Sequence, residues 1–374
     1  MSQSARIARL RDAMKQRGLD GYLVTHPLNV YYLTSFRATM WNVVQPLDDP
    51  EGSLLVEPQR LTFLCDGRYD PSPTRAAGAE HAEVKSPGGL RKIAEIVADR
   101  TKNRVRRLGF EAGALLHADA LALMEAVPHV EWIRADELLT EMRIRKDAEE
   151  QKLLEQAAAI TDGAYAHALK NMTLGMSEHD LADVINSYLR KHSEGTSFNT
   201  IVGFGATAAA PHYEPSYDRK LEKGHLVLMD CGSVFKGYMG DMTRMAVMGK
   251  ATDKMKKMYA IVLEAQKAVL NGLRPDMRGH DADKLARDVF EKHGVLDKYL
   301  HGTGHGIGLA IHEPPRLKQT FENPLSPGTV FSVEPGLYEE GWGGIRIEDI
   351  VIMQESGPKN ITRSPKDELI EVAC

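Results

Sequence analysis

Two eighteen-residue stretches of this chain, Met176–Ser193 and Met277–Gly294, align without a gap at an offset of 101, with Met, His, Asp, Lys and His identical in both. His179 falls on His280, Asp180 on Asp281 and His192 on His293. Five identities in eighteen are weak alone, but both copies also lead into similar sequence: a strand-like stretch carrying a His and then a Pro, at His212–Pro215 and His312–Pro314. A duplicated half-domain of helix then hairpin accounts for both, which makes residues 143–374 one α+β domain with an internal pseudo-twofold repeat. Ser177 opens an S-x-x-D capping box for the first helix, and Asp281 is placed as the N-cap of the second.

Upstream of the repeat the pattern changes. Residues 4–17 put Ile7, Leu10, Ala13 and Met14 at helical spacing, with Gly18 suited to end the helix. A strand is expected at Gly21–Thr25 and a hairpin from Ser53–Val56 and Leu61–Cys65. A helix near Leu90–Arg100, a strand near Val105–Phe110, a helix near Leu116–Glu125 and a strand near Val130–Ile133 come next. Strands alternating with helices predict a layered α/β domain over residues 1–142. The boundary falls in the charged stretch Glu141–Lys152, EMRIRKDAEEQK, which also opens a long helix.

Composition narrows the function classes. With 43% hydrophobic and 26% charged residues in 374, the chain is neither disordered nor fibrous, and it is long enough for two cores. A net charge of −5 gives no electrostatic reason for nucleic acid or an anionic membrane as partner. No run approaches 18 apolar residues, and the N-terminal helix has no apolar core of the signal-peptide kind. Cys65, Cys231 and Cys374 are too scattered for a disulfide framework or a cysteine-based zinc site. The expectation is a cytoplasmic protein.

Acids and histidines concentrate in four segments of the second domain. In Val227–Val247, two apolar runs flank Phe235-Lys236-Gly237, which predicts a hairpin turning there. Asp230 and Asp241 have an index sum of 471, so they are expected directly opposite one another, with Cβ atoms about 5 Å apart. In Val330–Ile352, Glu334 and Glu348 sum to 682, centred on Gly341 in the turn EEGWGG. Like charges at such a spacing repel, and a divalent cation reverses the sign. His301–Pro315 supplies His301, His305 and His312 among glycines that allow close backbone approach, and Ala208–Tyr213 supplies His212. A pseudo-twofold domain would gather four carboxylates and a histidine into one pocket.

Oxygen-rich sites with one imidazole suit Mn²⁺, Co²⁺ or Zn²⁺. Four carboxylates exceed the charge of one divalent ion, and two ions about 3.5–4 Å apart can share bridging carboxylates, so the reaction class is metal-assisted hydrolysis. Rival motifs are missing: no G-x-G-x-x-G, H-E-x-x-H, G-x-S-x-G or phosphate-binding loop occurs. His167, His179, His192, His280 and His293 are read as structural, the series Met239, Met242, Met245 and Met248 as core, and Cys231 as packing on the sheet face opposite Asp230.

Together these segments resemble the proline-specific "pita-bread" metallopeptidases, which include Xaa-Pro dipeptidase (prolidase) and aminopeptidase P, with creatinase and methionine aminopeptidase as relatives. The matching pieces are PHY at 211–213, D-x-G…GY-x-D-x-TR at 230–244, HGTGHGIGLAIHEPP at 301–315 and SVEPGLY…GGIRIED at 332–349. NVYYLTSF at 29–36 and CDGRY at 65–69 extend it into a creatinase-like N-terminal α/β domain. The resemblance implies that Asp230, Asp241, His305, Glu334 and Glu348 ligate two metal ions, most commonly Mn²⁺, with Asp241 and Glu348 bridging. Glu334 would also move the proton. His212 and His312 match histidines that contact the scissile peptide, and His301 a further pocket histidine near the substrate. Arg346 would either hold a ligand carboxylate or pair with the substrate's C-terminal carboxylate. A homodimer acting on proline-containing dipeptides or short peptides is implied as well. Gly240, Cys231 and Met245 depart from the common pattern without removing a ligand, which argues against a metal-free creatinase-like enzyme. Aminopeptidase P, a small-molecule amide hydrolase or lyase on the same scaffold, and a non-catalytic protein-binding domain are the alternatives.

Overall fold

The computed structural model describes residues 1–39, 43–44, 46–49, 51–84, 88–102 and 107–374. The chain divides into two compact units, Met1–Arg143 and Ile144–Cys374.

Among the described residues, the first unit forms a six-stranded mixed sheet with helices. Its strands are β1 (Gly21–Val24), β2 (Ser53–Val56), β3 (Leu61–Cys65), β4 (Glu80–Glu83), β5 (Arg107–Phe110) and β6 (Glu131–Arg134), in the spatial order β4-β3-β2-β1-β5-β6. The expected hairpin is the antiparallel pair β2–β3, and β1, β5 and β6 run parallel. The strand expected near 105–110 is β5; residues 105 and 106 lie outside the described residues. Its helices are α1 (Gln3–Gln16), α2 (Pro27–Thr34), α3 (Gly89–Thr101), α4 (His117–Ala126) and α5 (Glu137–Ile144). Leu23, Leu55 and Leu64 from the strands pack with Ile93, Val97 and Leu123 from the helices.

The second unit repeats one plan twice. The first half has α6 (Ala148–Asn171) and α7 (Glu178–His192), then β7 (Ile201–Phe204), β8 (Leu226–Cys231), β9 (Val234–Phe235), β10 (Tyr238–Met239) and β11 (Met242–Met248). The second half has α8 (Asp253–Gly272) and α9 (Gly279–Lys292), then β12 (Gly304–Gly306), β13 (Glu313–Leu317), β14 (Val330–Val333), β15 (Gly336–Glu339), β16 (Gly343–Arg346) and β17 (Asp349–Gln354). The strands β18 (Gly357–Asn360) and β19 (Ile370–Val372) complete the sheets. One sheet runs β19-β11-β8-β7 and the other β13-β12-β14-β17-β18, so β7-β8-β11 matches β12-β14-β17. Helix starts are locally determined. Asp147 and Glu150 form a capping box on α6, as Ser177 and Asp180 do on α7. Asp281, expected as the N-cap of α9, instead lies in its first turn; Arg278 is the N-cap, and its side chain makes no capping hydrogen bond.

The two hairpins differ in how well spacing locates them. The ladders β14–β17 and β15–β16 both have an index sum of 682, with Glu334 and Glu348 at the break between them. The first hairpin has a sum of 473, not 471: Asp230 faces Thr243, and Phe235 faces Tyr238. The reason is the turn. Lys236 (φ 47°) and Gly237 (φ 77°) are both left-handed, as a two-residue type I′ turn requires, so the turn centres on Lys236-Gly237. Asp230 and Asp241 therefore share a face but lie diagonally, roughly 7–8 Å apart at the backbone.

Candidate active site

Alternation along β8 sends Leu226 and Leu228 into one core and Val227, Met229 and Cys231 into the other. Asp230 shares the face of Leu226 and Leu228, and Asp241, by the same count along β11, shares that of Met245 and Val247. Cys231 and all four methionines from Met239 to Met248 are buried. His179, His280 and His293 lie elsewhere, against Tyr217, Glu322 and Glu264 respectively.

All nine residues singled out from the sequence line one cavity of about 710 Å³: Asp230, Asp241, His305, Glu334, Glu348, His212, His301, His312 and Arg346. His212 stands in a turn after a short 3-10 helix at Gly205–Ala209, not on a strand. Ligand atoms of Asp241, His305 and Glu348 all lie within 4.8 Å of one another. His305 Nδ1 lies 3.2 Å from the Gly306 carbonyl, to which it donates, which turns Nε2 toward Glu334 Oε1 at 3.2 Å and Asp241 Oδ2 at 3.6 Å.

The acids crowd one another. Burial pushes the carboxyls of Asp241 and Glu348 far above the usual range, and neighbouring carboxylates push them further. Burial raises Asp230 too, against the pull of Arg346. Glu334 differs. Burial would raise it, but the hydrogen bond and charge of His305 outweigh this and bring it down to about 2. Asp230 Oδ1 and Glu348 Oε1 are buried with no hydrogen-bond partner among the described residues. Orphaned carboxylate oxygens beside an imidazole nitrogen fit divalent cations of the Mn²⁺, Co²⁺ or Zn²⁺ type, and without one the cluster is a concentration of buried negative charge.

Around the cluster, hydrogen bonds fix the acids. Arg346 donates from Nη2 to Asp230 Oδ2 at 2.6 Å, from Nη1 to the Tyr338 hydroxyl at 2.7 Å and from Nε to Thr243 Oγ1 at 2.8 Å. Thr243 Oγ1 in turn donates to Glu348 Oε2 at 2.8 Å. Arg244 holds the Glu348 backbone carbonyl through Nη1 at 2.5 Å and Asp349 Oδ1 through Nη2 at 2.6 Å. Of the two roles expected of Arg346, these bonds and its burial favour the holding of the Asp230 carboxylate over pairing with a substrate carboxylate. His301 lines the same cavity with both ring nitrogens engaged: Nδ1 donates to Gly302 O at 2.8 Å and Nε2 accepts from Tyr338 at 2.8 Å. Burial keeps the Tyr338 hydroxyl protonated, with its pKa pushed up to about 12. His312 packs edge-on to His305 with centroids 4.3 Å apart; burial, then the charge of His305, lowers it to about 4, so its ring is neutral.

Spacing misses three residues. Thr243 and Tyr338 lie inside the matching motifs but show their bonds only across the fold. Arg316 lines the cavity from β13, where the register places it opposite His305. The only signal for it is a lone cation in the strand EPPRL.

Comparison with known proteins identifies the family. Residues 152–355 match the family model for metallopeptidase family M24, and residues 6–145 match the creatinase/prolidase N-terminal domain. The chain is 32% identical over 363 residues to an Xaa-Pro dipeptidase of Pyrococcus furiosus, covering 97% of this chain and 99% of that protein. Its fold superposes on an Xaa-Pro dipeptidase from Bacillus anthracis with a TM-score of 0.89 at 36% identity, covering 99% of both chains. An X-Pro aminopeptidase from Thermotoga maritima superposes at a TM-score of 0.85 and 28% identity, with 96% of this chain and 100% of that one covered. The chain belongs to metallopeptidase family M24 and joins that family's pita-bread catalytic domain to a creatinase/prolidase N-terminal domain.

Proposed function

We propose that this chain is a dinuclear metal-dependent Xaa-Pro dipeptidase, hydrolysing the bond before proline at a free N-terminus. The observation that carries the reading is the buried cluster of Asp241, His305 and Glu348 within 4.8 Å, flanked by Asp230 and Glu334. These five residues would hold two divalent ions, with Mn²⁺ preferred over Co²⁺ or Zn²⁺ for so oxygen-rich a donor set. Bound there, the ions supply Lewis acidity toward the scissile carbonyl and a nucleophile from water at neutral pH.

The protein's own groups do the rest. Glu334 Oε1 accepts from the Ser332 hydroxyl at 3.1 Å, so a proton is taken up and returned at Oε2. His212 and His312 stand on separate loops of the same cavity and offer ring N–H donors to the carbonyl oxygen as charge develops there. Arg316 presents a guanidinium to the C-terminal carboxylate of a dipeptide. A proline nitrogen carries no N–H and its ring fixes φ, so recognition must come from the carbonyl and the carboxylate, which this wall supplies. Arg316 also favours a dipeptide over a longer chain. The dipeptidases of Pyrococcus and Bacillus support the substrate class. A homodimer is implied by the family resemblance. A cytoplasmic, reducing setting is supported by Cys65, Cys231 and Cys374 all being free thiols.

The test is hydrolysis of Ala-Pro, Ala-Pro-Ala and Ala-Ala by protein stripped with EDTA and reloaded with Mn²⁺, beside Glu334→Gln. Metal-dependent cleavage of Ala-Pro alone is expected. Cleavage of Ala-Pro-Ala as well moves the reading to aminopeptidase P. No cleavage by protein that binds metal overturns it in favour of small-molecule amides.

A further inference from the structure

An ion pair outside the metal cluster grips the turn that carries His312. Lys146 Nζ donates to Glu313 Oε1 at 2.6 Å, with the two side chains 1% and 8% exposed. The ammonium is delivered from a fixed place: the Lys146 N–H donates to Gly328 O at 2.7 Å, and its carbonyl accepts from Gln151 Nε2 at 2.9 Å. Glu313 directly follows His312 and starts β13, opposite Gly306. Its carboxylate also covers Gly308, where a Cβ would meet Oε1 at 2.2 Å and Lys146 Cε at 3.0 Å. Both ends of the turn from 308 to 313 are thus clamped under one buried carboxylate, and His312 stands on that turn.

Stability does not explain such a pair. Taking an ammonium and a carboxylate out of water is expensive, and an apolar pair of similar volume serves stability as well or better. What the charged pair adds is direction, because a charge-assisted hydrogen bond fixes the carboxylate, and with it the backbone next to His312. We propose that Lys146 and Glu313 are positioning residues that hold the His312 ring where it meets the substrate carbonyl. This rests on the peptidase reading above.

The experiment compares Lys146→Met, Lys146→Arg and the double variant Lys146→Met/Glu313→Gln, which removes both charges, in the full chain. For Ala-Pro, Lys146→Met is expected to lower kcat roughly 10- to 100-fold while KM stays within about threefold, and Lys146→Arg to recover most of the loss. The double variant regains melting temperature but not kcat. In metal-free protein, the His312 ring ¹³C–¹H cross-peak, assigned by its loss in His312→Gln, moves in Lys146→Met and in the double variant. A double variant with restored kcat, or an unmoved His312 cross-peak, overturns the proposal and leaves the pair a matter of charge compensation. Should Lys146→Met not fold, the double variant decides on the same two readouts. Should the parent cleave no Xaa-Pro peptide, the peptidase reading falls, and the cross-peak still decides whether the pair positions His312.

Discussion

Arg346 Nη2 donates to Asp230 Oδ2 at 2.6 Å, and the two residues come from opposite halves of the repeat, Arg346 closing β16 and Asp230 standing near the end of β8. The same guanidinium reaches Glu348 through Thr243 and His301 through Tyr338, so one cation from the second hairpin sets the orientation of acids from both.

Loss of that fork should loosen metal before it touches substrate. Arg346→Lys keeps the charge but cannot bridge Asp230, Tyr338 and Thr243 together. Isothermal titration of EDTA-stripped protein with Mn²⁺ is expected to show affinity roughly 10- to 100-fold weaker, with KM for Ala-Pro little changed at saturating metal. Unchanged metal affinity with a raised KM would return Arg346 to the substrate.

Arg316 carries the opposite signature. Arg316→Met should lower kcat/KM for Ala-Pro by about 10- to 100-fold, the worth of a charge-assisted hydrogen bond, and barely affect Ala-Pro amide, which has no carboxylate. Equal losses on the acid and the amide would show that Arg316 does not read the carboxylate.

Asp241 should trade stability for function. Asp241→Asn removes one of the buried like charges, so without metal the variant is expected to unfold at a higher temperature than the stripped parent, by about 1 kcal/mol in stability. Saturating Mn²⁺ should reverse the order, because only the parent keeps its full ligand set. Calorimetry with and without metal decides; a variant less stable in both states refutes the crowding argument.

The first unit carries its own acid sensitivity. His26 caps α2 by accepting from the Leu28 N–H at Nδ1, and burial, then the charge of Arg143, lowers its pKa to about 4. A folded value below the ordinary 6.5 means that the stabilisation is whole above pH 6.5 and is lost as pH falls toward 4. His26→Asn keeps a cap that cannot titrate. Between pH 7 and 4.5 the parent should lose more stability than the variant, by at most about 3 kcal/mol, seen as faster hydrogen exchange in α2. Equal losses in both would sink the idea.

Local chemistry makes much of this fold legible. The helix cap at Ser177, the strand–helix alternation of the first unit and the 682 register are all set by neighbours in the chain. Apolar pattern alone misplaces the first hairpin by two, because it does not choose between Phe235-Lys236 and Lys236-Gly237; only the need for two left-handed residues does, and glycine at the second position meets it. The nine residues share a cavity, but no pattern in the chain says which of them face a substrate. Arg346 and His301 meet their partners, Asp230 and Tyr338, only across the fold, where spacing along the chain does not show them. Arg316 is silent for the same reason.

The doubled hairpin bears on dilution. Each half brings two acids, Asp230 and Asp241 from one and Glu334 and Glu348 from the other, and neither pair can enclose a cavity alone. Two half-length chains would have to meet around a twofold axis to gather four, and their site would come apart as they were diluted. Here both halves are one polypeptide, so the four acids are gathered by an intramolecular step and stay together at any protein concentration.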